Sequence, residues 1–149
     1  MKYTVTIDIN LPRQRVIELF DSEENLKEWQ PGLQKTEHLS GEPGEEGAQM
    51  KMWFKMGKRE VEMIETIKLN NLPERMDSTY DANGVFNLQE NYFIELDENT
   101  TRWKSVCEFQ FQNFTMKIMG WLMPGAFKKQ SKKFMDLFKE FAEKQGPKN

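Results

Sequence analysis

The side chains on which many active sites are built are nearly missing. In 149 residues there is one cysteine, Cys107, and one histidine, His38. A single thiol forms no intrachain disulfide, and one imidazole with one thiolate excludes the usual zinc sites, so a metal would need carboxylates alone. No metal and no cofactor are expected. Neither residue has a sequence context that suggests an activated nucleophile, and no Gly-rich loop follows a strand as phosphate binding requires. The glycines of "SGEPGEEG" sit among three glutamates, which repel phosphate, and this stretch reads as a hairpin loop. Long apolar runs are absent too. "MKIMGWLMPGAF" is too short and too interrupted to span a bilayer, and "MKYTVTIDINLP" alternates where a signal peptide would be continuously apolar, so a cytoplasmic location is the expectation. There is no excess of positive charge either: a net charge of -3 and a pI near 5.4 argue against a nucleic-acid partner.

What remains is an ordinary globular composition, 38% hydrophobic and 30% charged, in a length that suits one domain over 1–149. "YTVTIDI" alternates Tyr3, Val5, Ile7 and Ile9 against Thr4, Thr6 and Asp8, a strand with one buried face. Pro12 suits the first turn of a helix, "PRQRVIELF". Asp21 and Glu24 have the spacing of a capping box opening a second short helix, which "QPG" ends. From Leu33 to Gln112 the chain reads as consecutive antiparallel hairpins. It closes with a long helix in which Phe127, Ser131, Phe134, Phe138 and Phe141 recur at helical spacing, with lysines on the other side. Gly120 and Pro124 predict a break before it.

One strand, "GAQMKMWFKMG", places Met50, Met52, Phe54 and Met56 on one face. A two-residue turn at Gly57 and Lys58 sets Phe54 opposite Val61, Met52 opposite Met63, Met50 opposite Glu65, and Lys55 opposite Glu60. For "YDANGVF" a two-residue Asn-Gly turn mixes the faces, whereas a three-residue loop with Gly84 in a bulge pairs Tyr80 with Phe86 and Met76 with Glu90; the second is preferred. A four-residue loop "DENT" then pairs Ile94 with Trp103, Tyr92 with Ser105, Glu90 with Cys107, Leu88 with Phe109, and Glu95 with Arg102 on the outside.

The order of elements, with Val16, Phe20, Asp21, Trp29, Pro31, Gly32 and Gly47 in "VTIDINLPRQRVIELFDSEENLKEWQPGLQKTEHLSGEPGEEG" and the closing "MGWLMPGAFKKQSKKFMDLFKEFAE", resembles the START-like (SRPBCC) superfamily, in particular its polyketide cyclase/dehydrase-like members. The resemblance implies an α+β helix-grip fold: a curved antiparallel sheet of about seven strands, ordered strand, two helices, six strands, helix, wrapped around the last helix. It also implies a cavity for a lipid, hormone, polyketide or other hydrophobic molecule. The methionine face would then line that cavity, although the same side chains could simply pack on the closing helix.

On these registers the cavity residues are Met50, Met52, Phe54, Met63, Glu65, Met76, Tyr80, Leu88, Glu90, Tyr92, Trp103 and Phe109 from the sheet, with Phe127, Ser131, Phe134 and Phe138 from the helix. Glu65 and Glu90 point inward about 10 Å apart, two strand spacings, unless a bulge turns either to solvent. An enclosed carboxyl either keeps a partner or becomes neutral. Tyr80, Tyr92, Ser78, Ser105 and Ser131 are hydrogen-bonding neighbours. Trp29 packs beneath the small helices, Trp103 lines core or cavity, His38 is solvated on an edge strand, and Cys107 is a small buried hydrophobe. Three functions fit: a non-catalytic binder of a hydrophobic molecule; a cyclase or dehydratase with Glu65 or Glu90 as acid or base and Tyr80 or Tyr92 at a developing enolate; or an interaction module using Trp53 and Phe93. The lysines of the last helix read as its solvated face, without stable membrane association, the alternative being a transient contact with anionic lipid during ligand transfer.

Overall fold

Alternation at period two carries through into strands, and the computed structural model describes residues 1–147. In chain order they form β1 (Lys2–Ile9), α1 (Arg13–Phe20), a 3-10 turn (Glu23–Asn25) running into α2 (Leu26–Trp29), β2 (Leu33–Ser40), β3 (Gln49–Met56), β4 (Arg59–Asn71), β5 (Arg75–Ala82), β6 (Val85–Asp97), β7 (Thr100–Phe111), α3 (Phe114–Leu122) and α4 (Pro124–Gln145). The strands make one antiparallel sheet in the order β1-β7-β6-β5-β4-β3-β2. A sheet this wide curls by its own twist, and α4 packs inside the curve, close along β1. The architecture is the α+β helix-grip fold, with α3 as one helix more than the sequence pattern gave.

Several local expectations need correction. Pro12 is the residue before α1, not within it. Asp21 and Glu24 form no capping box: Ser22 precedes the 3-10 turn with no side-chain cap, and Asn25 instead donates from Nδ2 to the Leu19 carbonyl at 3.3 Å. The helix break falls at Met123, directly before Pro124, whose missing N–H costs nothing in a first turn. Gly120 lies inside α3, where a Cβ would come 2.6 Å from the Phe111 ring, so the glycine permits close docking of helix on strand.

Registers decide the faces. The β3–β4 pairing is as expected, Met50 with Glu65, Met52 with Met63 and Phe54 with Val61, and the ion pair formed on the outer face is Lys51 with Glu62 at 3.2 Å. Strand β6 is reversed. Its turn from β5 has two residues, Asn83 and Gly84, so Tyr80 pairs with Asn87 and Thr79 with Leu88. Gly84 takes φ +80, a conformation that favours glycine. At the other end, Asp97 pairs with Thr100, the register a four-residue loop predicts, but the extra residue Leu96 bulges out and beyond it Phe93 pairs with Trp103, Asn91 with Ser105 and Gln89 with Cys107. One bulged residue turns every side chain beyond it to the opposite face. Arg102 consequently pairs with Asp8 at 2.8 Å and not with Glu95.

Packing is concentrated under the C-terminal half of α4. Val5, Ile7, Ile9, Leu11, Val16, Leu19, Trp29, Phe93, Trp103, Met135, Phe138 and Ala142 form the main core. Each large side chain fully buried there contributes about 1.5–3 kcal/mol, which makes this end the anchor of the fold. Thr101, also buried, ties the start of β7 to the loop before α1 by donating to the Leu11 carbonyl at 2.9 Å.

Candidate functional site

Under the N-terminal half of α4 the sheet and the helix stand apart around a cavity of about 1520 Å³. Its apolar wall comes from β3 and β4. Met52 and Phe54 are buried in it with Leu33, while Met50, Val61, Met63 and Phe134 are half-buried around them. Met76, Trp103, Phe109, Phe127 and Ser131 also reach the lining.

Four expected cavity residues are elsewhere. Leu88, Glu90 and Tyr92 are on the outer face, because β6 is reversed. There Glu90 accepts from Tyr92 Oη at 2.9 Å and pairs with Arg75 at 3.1 Å, and the Arg75 guanidinium lies 4.8 Å from the centre of the Tyr92 ring. The two carboxylates therefore occupy opposite faces of the sheet, and Glu90 and Tyr92 leave the list of candidate acids and bases. Phe138 is fully buried among Phe20, Trp29 and Trp103, in the packed core and off the cavity wall. The same reversal removes Phe93 from the outer face, where it would have served an interaction module; it is 1% exposed in the core. Trp53 does stay outside, beneath Lys35 at 4.2 Å, and His38 is exposed on the edge strand.

In place of those residues β6 presents Asn87, Gln89 and Asn91 to the cavity. The amides are held in order. Asn87 donates to the Glu108 carbonyl at 3.1 Å and accepts from Gln89 Nε2 at 2.9 Å, and Asn91 Oδ1 accepts from the Trp103 indole at 2.9 Å. Ser105, Cys107 and Ser131 continue the polar line across β7 to α4, where Ser131 shares a 2.6 Å hydrogen bond with Tyr3. Burial pushes the Cys107 thiol and the Tyr3 phenol up, which favours the neutral form of both.

Glu65 and Tyr80 face each other across β4 and β5 on the cavity side. Burial raises the Glu65 carboxyl above the ordinary glutamate range, against the opposing pull of its hydrogen bond with Tyr80. Burial, followed by the charge of Glu65, raises the Tyr80 phenol well above its usual value. Among the described residues no ion pair reaches Glu65. The result is a carboxyl shifted toward the neutral acid beside a neutral phenol whose single O–H is engaged by that carboxyl. Trp29, at the other end, has a buried indole N–H with no protein acceptor.

The asparagine and glutamine amides were missed because hydrophobic alternation assigns them to solvent. The available signal was the short Asn-Gly turn, which favours the two-residue hairpin whatever it does to the faces. Among the described residues, no cluster of His, Cys, Asp or Glu forms a metal site, and no helix is long and apolar enough to cross a membrane.

A sheet gripping its last helix around a hollow with one apolar wall and one polar line defines the START-like, SRPBCC class. Within it, this chain belongs to the family described as polyketide cyclase / dehydrase and lipid transport, whose model matches residues 1–143. No curated protein matches the sequence. Solved structures of similar fold include the Zhui aromatase/cyclase from Streptomyces sp. R1128, 13% identical over 97% of this chain and 94% of that one at a TM-score of 0.79. Others are norcoclaurine synthase from Thalictrum flavum, 14% identical over 99% and 89% at 0.71, and a conserved protein from Geobacillus kaustophilus, 12% identical over 97% and 96% at 0.78. At these identities the likeness is one of fold.

Proposed function

We propose that the protein binds a hydrophobic small molecule, lipid-like or polyketide-like, in this cavity, without turning it over. Its apolar body lies against Met50, Met63 and Phe134, and its polar end is met by Glu65 and Tyr80 on one side and the β6 amides on the other. The observation that carries this reading is the pairing, in one cavity of about 1520 Å³, of a flexible methionine wall with the cross-strand pair Glu65 and Tyr80 on its cavity side. Methionine follows an irregular or mobile partner better than branched side chains do. Each buried CH₂ of a ligand contributes about 0.8 kcal/mol, so an alkyl or ring system binds with few polar contacts, and those contacts then choose its orientation. The polar end of the ligand meets the Glu65–Tyr80 pair, whose phenol O–H is already shared with the carboxyl. The family's description, which includes lipid transport, supports the same class of ligand.

Native mass spectrometry of the purified protein, followed by solvent extraction, tests the proposal. A stoichiometric apolar compound supports it; an empty protein whose melting temperature no apolar compound raises would sink it.

A second reading has one observation in its favour. Glu65, whose carboxyl burial shifts upward, lies cross-strand from Tyr80 as a general acid near an enolate would, and two proteins of this fold bear enzyme names, an aromatase/cyclase and a synthase. On that reading Glu65→Gln lowers turnover of the bound compound by at least about 100-fold while binding persists. A compound that binds and is never altered leaves the first reading standing.

A further inference from the structure

Helix α3 turns an apolar face outward. Phe114, Ile118, Trp121 and Leu122 fall at i, i+4, i+7 and i+8, on one side of the helix, and are 77%, 39%, 80% and 64% exposed. The helix is nonetheless seated, since on its opposite side Gly120 is buried against Phe111 and Met116 lines the cavity. Its N-terminus is fixed by Asn113, which accepts from the Met116 N–H at 2.8 Å. So large an outward apolar group on a well-anchored helix marks an interaction surface.

Charge selects the partner. Positions 113–135 contain Lys117, Lys128, Lys129, Lys132 and Lys133 and no acidic residue, in a chain of net charge -3. Lys132 alone of these forms an ion pair among the described residues, with Asp136 at 2.9 Å. A second copy of the chain would bring an identical set of lysines against these and be repelled. An anionic lipid surface complements both features, because apolar side chains enter the acyl boundary, an exposed tryptophan sits at headgroup level, and lysines are drawn to the negative leaflet.

We propose that α3 and the first turns of α4 form a reversible docking surface for an anionic bilayer. Such docking is peripheral and consistent with the lack, among the described residues, of a helix long and apolar enough to span a membrane. It also sets Met116 and Met119, part of the cavity lining, beside the membrane. That consequence rests on the hydrophobic-ligand reading; the docking itself does not.

Vesicle flotation with the full chain tests it. The protein is expected to float with phosphatidylcholine vesicles that contain phosphatidylserine, to stay behind with phosphatidylcholine alone, and to be released by high salt. The double substitution Phe114→Ser with Trp121→Ser should weaken binding by at least about tenfold. Lys128→Gln with Lys129→Gln should weaken it by about fivefold per lysine. All four positions are exposed, and circular dichroism checks that each variant is folded. The proposal is overturned if the folded protein ignores phosphatidylserine vesicles, floats equally with neutral ones, or floats unchanged in both variants. A dimer that the Phe114 and Trp121 substitutions dissolve would assign the face to a second copy and overturn it equally.

Discussion

Under the C-terminal half of α4, Phe20, Trp29, Phe93, Trp103 and Phe138 meet with ring centres 4.9 to 6.3 Å apart. Under its N-terminal half, Met50, Met63, Phe127 and Phe134 surround a hollow. Both ends use the same helix and the same sheet. They differ in what the strands present: rigid aromatic rings at edge-to-face distances fill space and specify one arrangement, while methionines and amides leave space and tolerate several. The molecule thus holds its stability at one end and its adaptability at the other, and a change at one end should leave the other largely as it was.

The largest expected effect follows at the packed end. Phe138→Ala should cost about 3–5 kcal/mol in denaturant melts, whereas Phe134→Ala, at a cavity wall already half open, should cost less than half of that. Equal losses would mean that the two ends are not energetically distinct. Asn91→Ala, which orphans the buried Trp103 indole N–H, should cost about 1–3 kcal/mol. Met63→Trp addresses the open end alone: the larger ring occupies the hollow, so on the proposed function retention of an apolar compound should drop by about tenfold or more while the melting temperature stays within a few degrees. A melt that collapses instead would show Met63 to be core.

Glu65 gives a smaller effect whose sign distinguishes the ends by pH. Its folded-state pKa lies above the unfolded value, so the folded protein binds the extra proton more tightly. That contribution is fully present below the unfolded glutamate pKa of about 4.3 and is lost as pH rises through the raised folded value. Glu65→Gln should therefore flatten the fall in stability over that window and be more stable than the parent above it, with the difference vanishing at low pH. Pairing the two proteins cancels the similar rise that burial gives Asp21. Leu88→Ser should matter least, by under about 1 kcal/mol, since Leu88 is on the outer face; a loss comparable to Asn91→Ala would contradict the reversed β6.

Much of the cavity was legible. The Met50, Met52 and Phe54 face, its register with Met63 and Glu65, and the inward stripe of α4 all follow from periodicity, because a matched apolar face and a short Gly-Lys turn agree with each other there. On β6 the two signals disagree. Turn chemistry favours Asn83 and Gly84 alone, while hydrophobic alternation favours Leu88 and Tyr92 inward, and the fold follows the turn. Alternation identifies the buried face only where the interior is apolar; a cavity lined by hydrogen-bonding groups inverts the pattern, as Asn87, Gln89 and Asn91 do on β6.

By itself the sequence determined the class of interior: no thiol or imidazole cluster, a single curved sheet, one amphipathic helix to grip, and a methionine wall, since each depends on residue type and on spacings within one element. Only the tertiary structure decided which carboxylate is enclosed, where Phe93 and Phe138 belong, and that α3 shows Trp121 to solvent. The enclosed carboxylate and the place of Phe93 depend on single-residue events, the two-residue turn at Asn83 and Gly84 and the bulge at Leu96, and the outward Trp121 depends on the seat of Gly120 on Phe111. One residue of slip exchanges the faces of a strand, and the alternation within that strand does not record it.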